Sequence, residues 1–182
     1  MRADYTFFRC VIFLTFICFL NSILFPMGTE KKTAQEMYAK MAALCSRSEQ
    51  CSNDIHKKIT AAGLGSDEAD EIIEKLKAEK FIDDERYVRS YVSDKFKFNK
   101  WGKVKIRHYL KMKGLPDELI QNGLDEIDAD KYRETLIKTL KEKARKVKKK
   151  NKFEKMGQII RFAQNRGFEP EMIHRYLSEV VE

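Results

Sequence analysis

Three stretches of this 182-residue chain align without a gap about a shared glycine, at Gly63, Gly114 and Gly167. Eight residues before the glycine stands Ile55, Ile106 or Ile159, and directly after it Leu64, Leu115 or Phe168. Further on, the columns read Ala69, Ile120 and Ile173, then Ile73, Leu124 and Leu177, then Leu76, Ile127 and Val180. Five apolar columns and one glycine column, recurring at spacings of 51 and 53 residues, are the mark of a repeat architecture. Such a chain cannot be one arbitrary globule. Each copy of about 50 residues is too small to bury much surface alone, so neighbouring copies must pack on one another.

The copy reads as helix, turn, helix. About ten residues with helical apolar spacing lead into the glycine, which can take positive φ and end the helix. Ser66 is expected to cap the following helix in the first copy, and Pro116 and Pro170 to stand at the first helical position in the others. A further helix precedes each pair. The first spans about Ala34 to Leu44 and opens with a capping box of Thr33 and Glu36. The second spans about Glu85 to Phe96, capped by Asp83 or Asp84, and the third about Lys131 to Lys149. Asn151 with Glu154 is a candidate capping box for the helix after that. The expected fold is therefore all-α, with three tandem three-helix repeats (27–82, 83–128 and 129–182) in an elongated, curved array.

Composition agrees. Apolar residues make up 43% of the chain, too many for disorder, and eight Gly with three Pro argue against an all-β fold. Lys and Arg number 36 against 28 Asp and Glu, a net charge of +8 that favours an acidic partner. Between Lys138 and Lys155 ten cations face two Glu, so the whole formal excess lies in that stretch. The run is too one-sided for i,i+4 pairing to account for it. Its candidate partner-binding residues are Lys141, Lys143, Arg145, Lys146, Lys148, Lys149, Lys150 and Lys152. A second basic group surrounds the central helix: Lys100, Lys103, Lys105, Arg107, Lys111 and Lys113, with Trp101 directly before it. Lys103, Arg107 and Lys111 recur every four residues and share one helix face, away from Ile106 and Leu110. Trp101 could stack on a partner, but a staple against the helix start is the expected role. Either nucleic acid or an acidic protein groove would suit these cations.

Residues 1–26 are of another kind: Tyr5 to Phe25 is nearly all apolar. Two readings stay open, a signal or anchor segment, and a start assigned upstream of a true initiation at Met27. The weak n-region, where Asp4 offsets Arg2, and the polar opening after Met27 favour the second. Membrane association would follow only from the first. Cys45 and Cys51 lie six apart, a spacing that fits no zinc pair, and are expected as free thiols.

No catalytic constellation is present. His56, His108 and His174 share no repeat column, and there is neither an H-E-x-x-H nor a phosphate-cradling glycine loop. The run Asp83-Asp84-Glu85 sits at a helix start, where capping is its expected role rather than metal binding. No enzyme, cofactor, metal or small-molecule substrate is expected.

Two segments carry a family resemblance. Phe81-Ile82-Asp83-Asp84-Glu85-Arg86-Tyr87 resembles a recurrent segment of the RecX family, regulators of the recombinase RecA. The stretch Trp101 to Leu115 resembles that family's aromatic-glycine pair, basic amphipathic helix and closing Lys-Gly-aliphatic. The resemblance implies three tandem three-helix repeats. It further implies a cytoplasmic monomer, without catalysis of its own, that binds the groove of the RecA–DNA filament and inhibits its ATPase, strand exchange and coprotease activities. DNA contact within the filament is compatible with it. A proline often follows the aromatic-glycine pair in the family; Lys103 stands there in this chain and adds a charge to the basic face.

Overall fold

The computed structural model describes residues 33–148 and 151–180. The expectations placed on the apolar leader, and on Lys149 and Lys150, lie outside these residues. Nine helices and no strand occur among the described residues. They are α1 (Ala34–Cys45), α2 (Ser52–Ala61), α3 (Ser66–Ala78), α4 (Asp84–Lys97), α5 (Lys103–Met112), α6 (Asp117–Asp125), α7 (Ala129–Lys146), α8 (Lys152–Asn165) and α9 (Pro170–Leu177). They pack in threes. In the first repeat α3 touches both α1 and α2; in the second and third, all three helices touch one another. None of the nine is long and apolar enough to cross a membrane.

The helix ends follow local chemistry. Thr33 and Glu36 form the expected capping box, with the Thr33 hydroxyl accepting from the Glu36 N–H at 3.3 Å. Asp83 caps α4 by accepting from the Arg86 N–H at 2.9 Å, and Asn151 caps α8 by accepting from Phe153. Asp128, at the start of α7, accepts from Lys131. Three caps differ from expectation. Asn151 accepts from Phe153 and forms no capping box with Glu154. Gly65, not Ser66, is the cap of α3, and the Glu68 carboxylate takes its N–H at 2.8 Å. Pro116 is likewise the cap of α6 rather than its first residue, while Pro170 does open α9. The helix ends α7 and α4 shift by a turn or less from the expected bounds.

The three repeat glycines all take positive φ, at 97°, 76° and 84°. Lys80 and Lys100 take the same left-handed conformation after α3 and α4, at 61° and 54°. Apart from the half-buried Val180, every apolar column of the repeat is buried. The core is divided, however. One cluster runs from Met37 to Ile82 within the first repeat. A second runs continuously through the second and third repeats and takes in Cys51 from the first.

Candidate partner-binding surfaces

The repeats meet through a recurring device. The start of the second helix in one repeat receives the glycine turn and the leading helix of the next. At the first junction, the Ser52 N–H and hydroxyl donate to the two Asp84 carboxylate oxygens, at 2.8 and 2.6 Å. Asn53 Nδ2 donates to the Lys113 carbonyl at 2.7 Å, and the Lys113 ammonium pairs with Asp54. Arg86 donates to Glu49 at 2.6 Å and reaches the Lys80 and Phe81 carbonyls. At the second junction, the Gly102 N–H donates to the Arg166 carbonyl at 2.7 Å and the Val104 N–H to Gly167 at 3.1 Å. The Tyr132 hydroxyl accepts from the Lys103 N–H at 3.0 Å and donates to Glu169 at 2.5 Å.

Electrostatics follow from this burial. For Lys113, burial works against the charge, but hydrogen bonds with Asp54 and Tyr87 and the charge of these partners together outweigh it and hold the ammonium well above its ordinary pKa. Burial likewise works against the Asp54 carboxylate, and hydrogen bonds from Lys113 and Cys51 outweigh it, so its pKa falls. Burial raises Cys51 to about 11 and Cys45 above its ordinary range; both are free thiols. Tyr132 is raised by burial and by its bond to Glu169.

These contacts engage most cations of the central group. Lys103 lies over the Tyr132 ring at 5.5 Å, Arg107 donates to Gln121, and Lys111 pairs with Asp117 at 2.9 Å. Lys105 donates to the Asn165 carbonyl at 3.1 Å and Lys100 to the Lys97 carbonyl at 2.6 Å. Trp101 is half-buried and stacks on Tyr109 at 5.0 Å, flanked by the Lys105 and Lys95 ammoniums. The expected single face of Lys103, Arg107 and Lys111 is thus three cations on three separate intramolecular partners.

The lysine tract is different. Lys141, Lys143, Arg145, Lys146, Lys148 and Lys152 have no carboxylate at ion-pair distance among the described residues. Lys143 lies over the Phe162 ring at 5.0 Å. The tract spans the end of α7 and the start of α8 and includes Phe153, which is exposed. Sequence reasoning did not single out Phe153 or the junction residues Ser52 and Asn53; it read Asp84 as a helix-start acid and Tyr132 as part of an apolar stripe, not as junction partners. It passed over Val104 and Met112 as well.

Residues 83–124 match the model described as RecX, second three-helix domain. A regulatory protein RecX from Bacillus pumilus is 32% identical over 112 residues, covering 62% of this chain and 43% of the relative. One from Geobacillus kaustophilus is 27% identical over 161 residues, covering 88% of this chain and 58% of the relative. The chain spans about half the length of the curated relatives it matches. Among solved structures, RecX from Lactobacillus salivarius superposes with a TM-score of 0.73 at 20% identity, over 81% of this chain and 96% of that one.

Proposed function

The chain belongs to the RecX family, and from that premise we propose that it binds the RecA–DNA filament and inhibits its ATPase, strand exchange and coprotease activities. It does so as a cytoplasmic, non-catalytic monomer. The observation that carries this reading is the lysine tract across α7 and α8, whose cations lack acidic partners among the described residues. Unpaired like charges this close repel one another, and an external polyanion or acidic groove relieves that repulsion. The DNA of a filament presents such a polyanion along its length.

The central group of Lys100 to Lys113 takes a supporting part. Its cations are fixed by intramolecular contacts, so they supply a positive field rather than free ligands. Three linked repeats offer several weak contacts at once, and linkage raises the effective concentration of each for the next.

The test is RecA ATPase turnover on single-stranded DNA with increasing amounts of the chain. Inhibition near stoichiometric protein is expected. If RecA turnover is untouched and the chain binds naked DNA alone, it is instead a general nucleic-acid-binding protein, served by the same tract.

A further inference from the structure

The outward side of α5 carries exposed apolar groups beside the exposed His108 and Lys111. Ile106 and Leu110 point into the core, and the cations at 103, 107 and 111 are drawn to Tyr132, Gln121 and Asp117. Toward solvent, beside the half-exposed Lys111, lies a row of Val104, His108 and Met112, four residues apart and so roughly 6 Å apart along the helix. Val104 is 51% exposed and Met112 64%. Tyr109, 39% exposed and stacked on Trp101, borders the row. Four of the five large apolar side chains exposed among the described residues belong to the second repeat. Scattered singly, exposed apolar groups mean little; aligned on one helix they make a contact surface.

Resting on the filament reading, we propose that the Val104–His108–Met112 row is the contact to a protein subunit, and that its occupant is an apolar patch with an acidic rim on RecA. Charge gives the rim. The helix carries Lys103, Lys105, Arg107 and Lys111 and no acidic residue, so the apolar row lies in a positive field. The identity of the free groups selects protein over nucleic acid. A phosphate backbone calls for uncommitted cations, which this helix has largely bound internally, whereas Val and Met offer dispersion and apolar burial. Met in particular adapts to an irregular partner surface. The lysine tract on α7 and α8 then supplies the salt-sensitive share of binding, and the row supplies the salt-resistant share.

Co-sedimentation of the full chain with RecA filaments on single-stranded DNA tests this, at about 0.1 M and about 0.5 M salt. Val104→Ser with Met112→Ser is expected to weaken binding about tenfold at both salt concentrations, with unchanged helicity by circular dichroism. Val104→Glu with Met112→Glu should bind more weakly than Val104→Lys with Met112→Lys, because the rim is acidic. Binding of the serine variant within about twofold of the wild type overturns the proposal, as does a loss that disappears at high salt. An equal loss on naked single-stranded DNA would make the row a nucleic-acid contact and also overturn it. Equal binding by the Glu and Lys variants removes the acidic rim. If the wild-type chain does not sediment with the filament at all, the filament reading itself fails and takes this one with it.

Discussion

At the first junction side chains hold the repeats together, whereas at the second the backbones themselves touch. Ser52, Asn53 and Asp54 reach across to Asp84 and Lys113, and the apolar core of the first repeat stays separate. Gly102 and Gly167 instead bring two chain segments close enough for direct amide-to-carbonyl bonds, and one apolar core runs through both repeats. The same repeat logic therefore yields two joints of unequal stiffness. A polar joint of ion pairs and amides can exchange its partners for water at modest cost. A joint of interlocked backbone beneath a shared core opens only with loss of packing. The first repeat is expected to move as a body against a fixed pair.

The strongest way to break this contrast is to insert a methyl group at the second joint. A Cβ on Gly102 would be driven into the backbone of Gly167 and Phe168, and a Cβ on Gly167 into Lys105. Neither neighbour is a flexible side-chain end. Gly167→Ala adds the strain of φ at 84°. The expected loss is about 3 kcal/mol for Gly102→Ala and about 4 kcal/mol for Gly167→Ala, read from urea unfolding. A loss below about 1 kcal/mol in both would mean that the backbones are not closely held, and the contrast would fall.

The apolar columns, the glycine turns and the all-helical trios follow from periodicity alone, because burial on one helix face leaves a 3.6-residue signature. The motifs at 81–87 and 101–115 were legible as a family mark, but not in their physical role. Asp84 and Arg86 tie the first joint, and Gly102 makes the second possible; these are long-range contacts that no local pattern encodes. For the candidate site the difficulty was charge. Spacing places Lys103, Arg107 and Lys111 on one face correctly, yet it cannot reveal that Tyr132, Gln121 and Asp117 wait beside them. The lysine tract stands out in sequence because the two Glu within it cannot neutralise its ten cations.

Acid should act on the first joint before the second. The folded pKa of Asp54 lies below its ordinary value, so its contribution is complete above about pH 4 and is lost as the pH falls through the lowered value. Lys113 is raised, so its share is present below about pH 10 and is lost only on titration through the higher value. Between these limits the pair is intact. Below them the joint loses a charged hydrogen bond of about 2 kcal/mol. Amide protection factors, corrected for intrinsic exchange, should fall several-fold more in α1–α3 than in α4–α9 between pH 6 and pH 3, the most that one carboxylate of ordinary pKa about 4 can contribute over that range. Asp54→Asn should make the difference vanish. An equal fall in all nine helices would show that the repeats open as one.

The smallest effect is expected where the repeat glycine has no neighbour. Gly63, Gly114 and Gly167 share a left-handed backbone, so alanine costs each of them about 1 to 2 kcal/mol in φ alone. What differs is the surroundings. A Cβ at Gly63 meets nothing within 4 Å, while one at Gly114 meets the Asn53 amide at 2.6 Å. That amide ends a side chain and can swing aside, at the expense of its bond to the Lys113 carbonyl. Gly63→Ala should therefore cost only the φ strain, Gly114→Ala about 1 kcal/mol more for the lost hydrogen bond, and Gly167→Ala most of all. Thermal or urea unfolding of the three variants isolates the packing at each turn, because the φ term is common to them. Three equal losses would mean that the turns carry strain alone and that the joints draw nothing from them.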